Sequence, residues 1–179
     1  MKKIILTVII TLVVLVAGFT AYIYSGAFNV SQLVPHKAIT LRLIRTTLHR
    51  SIDKRIKNIQ VPPLNDTSMF IEGFRHYNEM CTMCHGAPGI DPDEMVEGLY
   101  PKPPRFYKSR FMPEPNESFW IIKNGIKLTS MPAFGPTHSD RKIWSIAAFL
   151  LDKMNKMSPE EYQLWRKKYS ESDSTDVDM

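Results

Sequence analysis

Only two cysteines occur in the chain, and both lie in one pentapeptide, Cys81-Thr82-Met83-Cys84-His85. C-x-x-C-H is the attachment signature for haem c. The spacing has a chemical reason. Two thiols must add across vinyl groups on one edge of a porphyrin, and two intervening residues form the turn that reaches both. The histidine that follows then falls under the iron as proximal ligand. Three other uses of the pentapeptide compete less well. A disulfide closing so short a loop constrains little, although an exported chain permits it. A thioredoxin-type dithiol belongs in a βαβ setting, which is not visible here. A structural zinc wants four ligands, and this motif offers three with no second cysteine pair. The expectation is one covalent haem c, bound through Cys81 and Cys84, with His85 on the iron.

The sixth ligand is sought among ten methionines and the four histidines other than His85. Most methionines fill irregular gaps in cores. Met131 stands apart in Ser130-Met131-Pro132-Ala133-Phe134-Gly135, a loop punctuated by proline and glycine between two expected helices. Such a loop can bring a thioether up to the distal face. Met112-Pro113 is its nearest rival. His138 could in principle ligate, but it lies beside a helix start, and His36, His49 and His76 read as surface residues. Met131 is favoured, which makes the iron site Met/His, an arrangement found in c-type cytochromes.

Ile4 to Tyr24 is an almost unbroken apolar run. As a helix rising ~1.5 Å per residue it just spans a hydrocarbon core of about 30 Å. Lys2 and Lys3 precede the run and no cation follows before Lys37, so the N-terminus stays cytoplasmic and the remainder is exported. A cleaved signal peptide is the alternative. The run is longer than a usual signal core, however, and no clean small-residue cleavage site follows. The expected location is the inner membrane, single-pass, with the folded part on the periplasmic side. The formal charge of +5 is local. Lys37, Arg42, Arg45, Arg50, Lys54, Arg55 and Lys57 face only Asp53 in the segment after the anchor, whereas acids and bases cancel from Val61 to Met157. No basic patch with interleaved aromatics appears there, so nucleic acid is not an expected partner.

Between Lys37 and Ile59 the apolar residues Leu41, Ile44, Leu48, Ile52, Ile56 and Ile59 recur at helical spacing. This basic amphipathic helix either lies on anionic headgroups or a partner subunit, or packs on its own domain by the apolar stripe. Val61-Pro62-Pro63 ends it. Phe70, Phe74, Tyr77 and Cys81 share one face of a second helix, with Asp66, Thr67 and Ser68 as candidate N-caps. Gly86 to Pro115, rich in proline, reads as a long loop with one short helix, wrapped around something. Asn116 is placed to cap a helix ending at Gly125, and Ser139 to cap another with the stripe Ile143, Ala147, Leu150, Met154. Ser158, Pro159 and Glu161 form a capping box for a last helix towards Tyr169. Ser170 to Met179 is acidic and is expected to be disordered. No strand pattern competes, so the fold class is all-α.

Three segments together resemble the class I c-type cytochrome family. Gly73-Phe74-x-x-Tyr77-x-x-x-Cys81-x-x-Cys84-His85-Gly86 is similar to its first helix running into the haem motif. Asn124-Gly125-Ile126 followed by Met131-Pro132-Ala133-Phe134 is similar to its distal-ligand loop, and Ile143-Trp144-Ser145-Ile146-Ala147-Ala148-Phe149-Leu150 to its last helix. The resemblance covers roughly Asp66 to Met157. It implies that these two helices cross, with Gly73 letting Trp144 or Phe149 approach closely. It also implies that a proline carbonyl, of Pro103 or Pro104, accepts the Nδ1 hydrogen of His85. The basic helix and the helix after Ser158 lie outside the family core and point to a partner interface.

The expected organisation is an anchor over 1–25, a connector and basic helix over 26–60, a cytochrome c domain over 61–157, and a terminal helix and tail over 158–179. The expected function is one-electron transfer between a redox protein donor and acceptor, in a respiratory chain, without catalysis. The protein would act as a free carrier or as a subunit of a larger membrane oxidoreductase complex. The alternative is a haem enzyme or gas sensor with an open distal site, for which no convincing acid–base pair is visible. Acidic Asp91, Asp93, Glu94 and Glu97 could steer a basic partner, or simply be solvated.

Overall fold

The computed structural model describes residues 1–109 and 112–169; the acidic stretch from Ser170 to Met179, expected to be disordered, lies outside the described residues. The chain divides into two compact units, Met1–His36 and Lys37–Met179. The first is dominated by α1 (Lys2–Tyr24), apolar on every face and without a buried residue. It is long and apolar enough to cross a membrane, by length and composition.

The second unit is all-helical among its described residues, apart from one isolated bridge between Ala87 and Ile90. Its order is α2 (Ala38–Ile56), α3 (Thr67–His76), a π turn (Tyr77–Cys81), α4 (Thr82–His85), two 3₁₀ turns (Glu94–Gly98 and Phe106–Lys108), α5 (Pro115–Asn124), α6 (Asp140–Asp152) and α7 (Pro159–Tyr169).

The helices start where side-chain oxygens can satisfy orphan backbone donors. Asp66 accepts from the Ser68 amide at 2.8 Å, Ser139 from Lys142, and Ser158 from Glu161 at 3.1 Å. α5 differs from expectation. It begins with Pro115 at its first turn after Glu114, since proline's fixed φ suits that position. Asn116 is thereby inside the helix, and its amide donates to the Ile56 carbonyl at the end of α2. α2 packs part of its stripe on its own domain. Ile52 is buried while Ile39 and Leu43, on another face, remain exposed. The C-terminal half of the stripe thus packs on the domain, while Ile44 within the same stripe stays exposed.

The core forms where α3 crosses α6. Glycine at 73 is required there. A β-carbon on it would stand 1.9 Å from the Ser145 carbonyl oxygen and 2.9 Å from Phe149 Cβ. Of the two residues expected to close on Gly73, it is Phe149 that does so, together with the Ser145 backbone. Trp144 instead stacks on Phe119 of α5, ring centroids 4.2 Å apart. α7 adds an aromatic lid, in which Phe74 meets Phe149, Tyr162 and Trp165 edge-on at 5.2–5.5 Å. Such pairs contribute about 0.5–1.5 kcal/mol each beyond the area they bury.

Candidate functional site

α3 does not run straight into the Cys-x-x-Cys-His motif. The backbone widens into a π turn over Tyr77–Cys81, with the Thr82 amide reaching back to the Tyr77 carbonyl. Single π turns inside helices recur at functional sites. Here the extra residue sets the register in which Cys81 leaves α3 and α4 presents Cys84 and His85. Gly86, at φ +66°, then turns the chain away. The buried Tyr77 hydroxyl donates to the Gly86 carbonyl at 2.8 Å and so ties both ends of the motif together.

Cys81 and Cys84 form no disulfide. Burial, and secondarily the neighbouring Cys84, push the Cys81 thiol up to about 12, so it is protonated at neutral pH. His85 is held by two contacts. Its ring stacks on Phe106 with centroids 4.9 Å apart, and Nδ1 lies 2.8 Å from the carbonyl of Pro104. Burial draws the His85 pKa below the ordinary histidine value, against the pull of that hydrogen bond. The ring is thus neutral, its Nδ1 hydrogen goes to Pro104, and the Nε2 lone pair is free for a metal. Pro103 lines the same cavity, but the carbonyl that meets the ring belongs to Pro104.

These groups open onto a cavity of about 510 Å³, within the roughly 300–1,000 Å³ usual for cofactor sites. Cys81, Cys84, His85, Pro103, Pro104 and Met131 all line it. Met131 is fixed at both backbone ends, its amide donating to Thr129 Oγ1 at 3.1 Å and its carbonyl accepting from Ile126 at 3.2 Å. A β-carbon on Gly125 would stand 2.8 Å from the Met131 oxygen, so glycine there lets the loop close against α5. Met80, Met83 and Met95 also line the cavity, but Met80 and Met83 belong to the segment that carries the thiols. Met112 packs instead against the Phe74 cluster. His138 is bonded to Thr137 at 2.8 Å and set edge-on to His76 at 5.3 Å, away from the cavity lining.

The chemistry of the lining fits a haem. It is apolar apart from a few groups, with two thiols and one neutral imidazole converging on it. Ser118 Oγ, buried in the same wall, has no hydrogen-bond partner among the described residues. A buried hydroxyl of that kind calls for a partner that the protein alone does not supply. No aspartate or glutamate among the described residues lines the cavity. The acidic stretch after the motif is partly neutralised in place. Asp91 meets Arg105 at 3.3 Å and Lys108 at 3.8 Å, and Glu97 meets Lys102.

Residues missed at the level of sequence are Tyr77 as the clasp of the motif, Phe106 as the stacking partner of His85, and Ser118. Ser118 carried a readable signal, being a hydroxyl one helical turn before Ile122 on an otherwise apolar face. Residues 69–150 match the family model described as cytochrome C oxidase, cbb3-type, subunit III. No curated protein and no solved structure matches the chain.

Proposed function

We propose, from the premise that residues 69–150 are a class I c-type cytochrome domain, that this chain is a membrane-anchored carrier of single electrons. Cys81 and Cys84 would hold a haem covalently, and His85 and Met131 would hold its iron. The bound haem supplies an iron that cycles between ferric and ferrous states. What carries the reading is the convergence of both thiols, the neutral His85 ring and Met131 on one apolar cavity.

Each protein group has a defined task. The Pro104 carbonyl orients His85 and raises its basicity. Met131, as a thioether, favours the reduced state more than a second histidine would. The apolar lining excludes water and works in the same direction, because the oxidised centre carries more charge. With His85 and Met131 both holding the iron, no position would be left for a substrate, and the site would serve as a relay without catalysis. α1 anchors the domain, Lys2 and Lys3 keep its N-terminus cytoplasmic, and the cytochrome domain then faces the extracytoplasmic side.

The family match also supports a role as the electron-transfer subunit of a membrane oxidase. α2 and α7, which flank the matched segment, are the surfaces available for such a partner.

Redox titration of the purified full-length chain in mild detergent tests the proposal. A single reversible one-electron wave is expected, with haem that stays on the chain through denaturing electrophoresis. Dissociable haem, or turnover of a small substrate at the site, would contradict it. A companion protein co-migrating on native gels would favour the subunit form over the free carrier.

A further inference from the structure

We infer that Ser118 tunes the distal ligand: in the haem-loaded protein its hydroxyl donates a hydrogen bond to the thioether sulfur of Met131. The inference rests on the proposed ligation by Met131 and adds a positioning residue that controls it.

Ser118 is 2% exposed, and its Oγ has no hydrogen-bond partner among the described residues. A serine inside a helix usually satisfies itself by donating to the carbonyl four residues back. Here the Glu114 carbonyl accepts the Ser118 amide at 2.8 Å, and the hydroxyl makes no such bond. The other buried serine shows what is ordinary for this fold. Ser145 Oγ bonds both the Glu72 carboxylate at 2.7 Å and the Arg141 carbonyl at 3.1 Å. Ser118 therefore holds an unspent donor.

Its position says where the donor goes. Ser118, Ile121 and Ile122 present one face of α5 to the cavity that Met131 lines. Met131 in turn packs against the cluster that includes Phe119 and Ile122 of the same helix. Two other hydroxyls of the lining are already bonded. Tyr77 donates to Gly86, and Thr129 donates to Ile126 while accepting from the Met131 amide. Two kinds of acceptor could reach Ser118 once the cavity is filled, a carboxylate side arm of the haem or the Met131 sulfur. Phe119 and Ile122 flank Ser118 as buried apolar residues. A charged carboxylate desolvated there with one neutral donor is strongly disfavoured. A thioether sulfur is uncharged and a weak acceptor, which suits a lone hydroxyl in an apolar wall. A hydrogen bond to that sulfur withdraws electron density from it and weakens its support of the ferric state. Groups around an axial ligand tune the metal in this way.

The test compares the full-length holoprotein with its Ser118→Ala and Ser118→Thr variants. The midpoint potential, the far-red sulfur-to-iron band of the oxidised form and the pH dependence of the potential are read for each. Ser118→Ala is expected to lower the potential and move the far-red band with little change in melting temperature, since the one bond it removes is to a weak thioether acceptor. Ser118→Thr, which keeps the hydroxyl, is expected to restore both readings towards wild type. An unchanged potential and band in Ser118→Ala, with the band present in wild type, would overturn the inference and leave the ligation by Met131 standing. A lowered potential that becomes newly pH-dependent, with the band unmoved, would assign the hydroxyl to a haem carboxylate and overturn it also. A wild-type protein without the band would overturn the ligation by Met131, and this inference with it.

Discussion

Replacing Met131 with alanine is expected to remove the far-red band, let carbon monoxide bind the reduced protein, and lower the midpoint potential by on the order of 100 mV or more. That size is modest against the range of about 0.8 V over which axial ligands set haem potentials. The fold should survive. The Met131 main chain is anchored through its amide to Thr129 and through its carbonyl to Ile126, and neither bond uses the side chain. The side chain is only partly buried against the α5–α6 cluster, so the stability loss should sit at the low end of the ~2–5 kcal/mol seen for methionine-to-alanine changes in cores. Large spectral change with small stability change separates a ligand from core filler. Met112→Ala serves as the contrast, because Met112 packs on the Phe74 cluster and does not line the cavity. It should cost stability and leave the spectrum alone. If Met131→Ala left band and potential intact, the ligand would have to be sought elsewhere, first at Met95.

The second large effect is expected at Gly73. Glycine to alanine within a helix ordinarily stabilises by about 1 kcal/mol, through propensity alone. At Gly73 the sign should reverse. The new methyl would stand 1.9 Å from the Ser145 carbonyl oxygen and 2.5 Å from its carbon. Both are backbone atoms of α6 and cannot swing aside as a flexible side chain would, so the helices themselves must separate. Overpacking of this kind costs about 1–3 kcal/mol and occasionally more, and a backbone clash places Gly73→Ala at or above the top of that range. Chemical denaturation of the holoprotein would read it as a net loss of ~2 kcal/mol or more. Gly98→Ala is the matched control, with nothing within 4 Å of its added carbon. Equal stability in the two variants would mean that the α3–α6 crossing is looser than this geometry.

Much of this arrangement was legible in the sequence because it is written in local chemistry. Cys81, Cys84 and His85 announce themselves by spacing. Asp66, Ser139 and Ser158 sit where helices need caps, and Ile143, Ala147, Leu150 and Met154 recur at the helical period and are all buried. What was not legible depends on backbone paths. The π turn over Tyr77–Cys81 leaves no side-chain period of its own. The choice between Pro103 and Pro104 turns on the direction of a carbonyl, about which neither proline side chain carries information. α5 starts ahead of the cap that composition favours, since Asn116 is a good cap whereas Pro115 takes the first turn by virtue of its fixed φ. The stripe of α2 was readable as a stripe. Its partner was not, since an apolar face fits a lipid surface or a neighbouring helix equally well until the chain is folded.

A closed haem site with His85 and Met131 as ligands can be read from the optical absorption of the purified full-length holoprotein. The oxidised protein is predicted to show a weak far-red sulfur-to-iron band, and the reduced spectrum to stay unchanged when carbon monoxide is added. No band, together with a clear carbon monoxide adduct, would contradict the account and make the cavity an open site for ligand binding or catalysis.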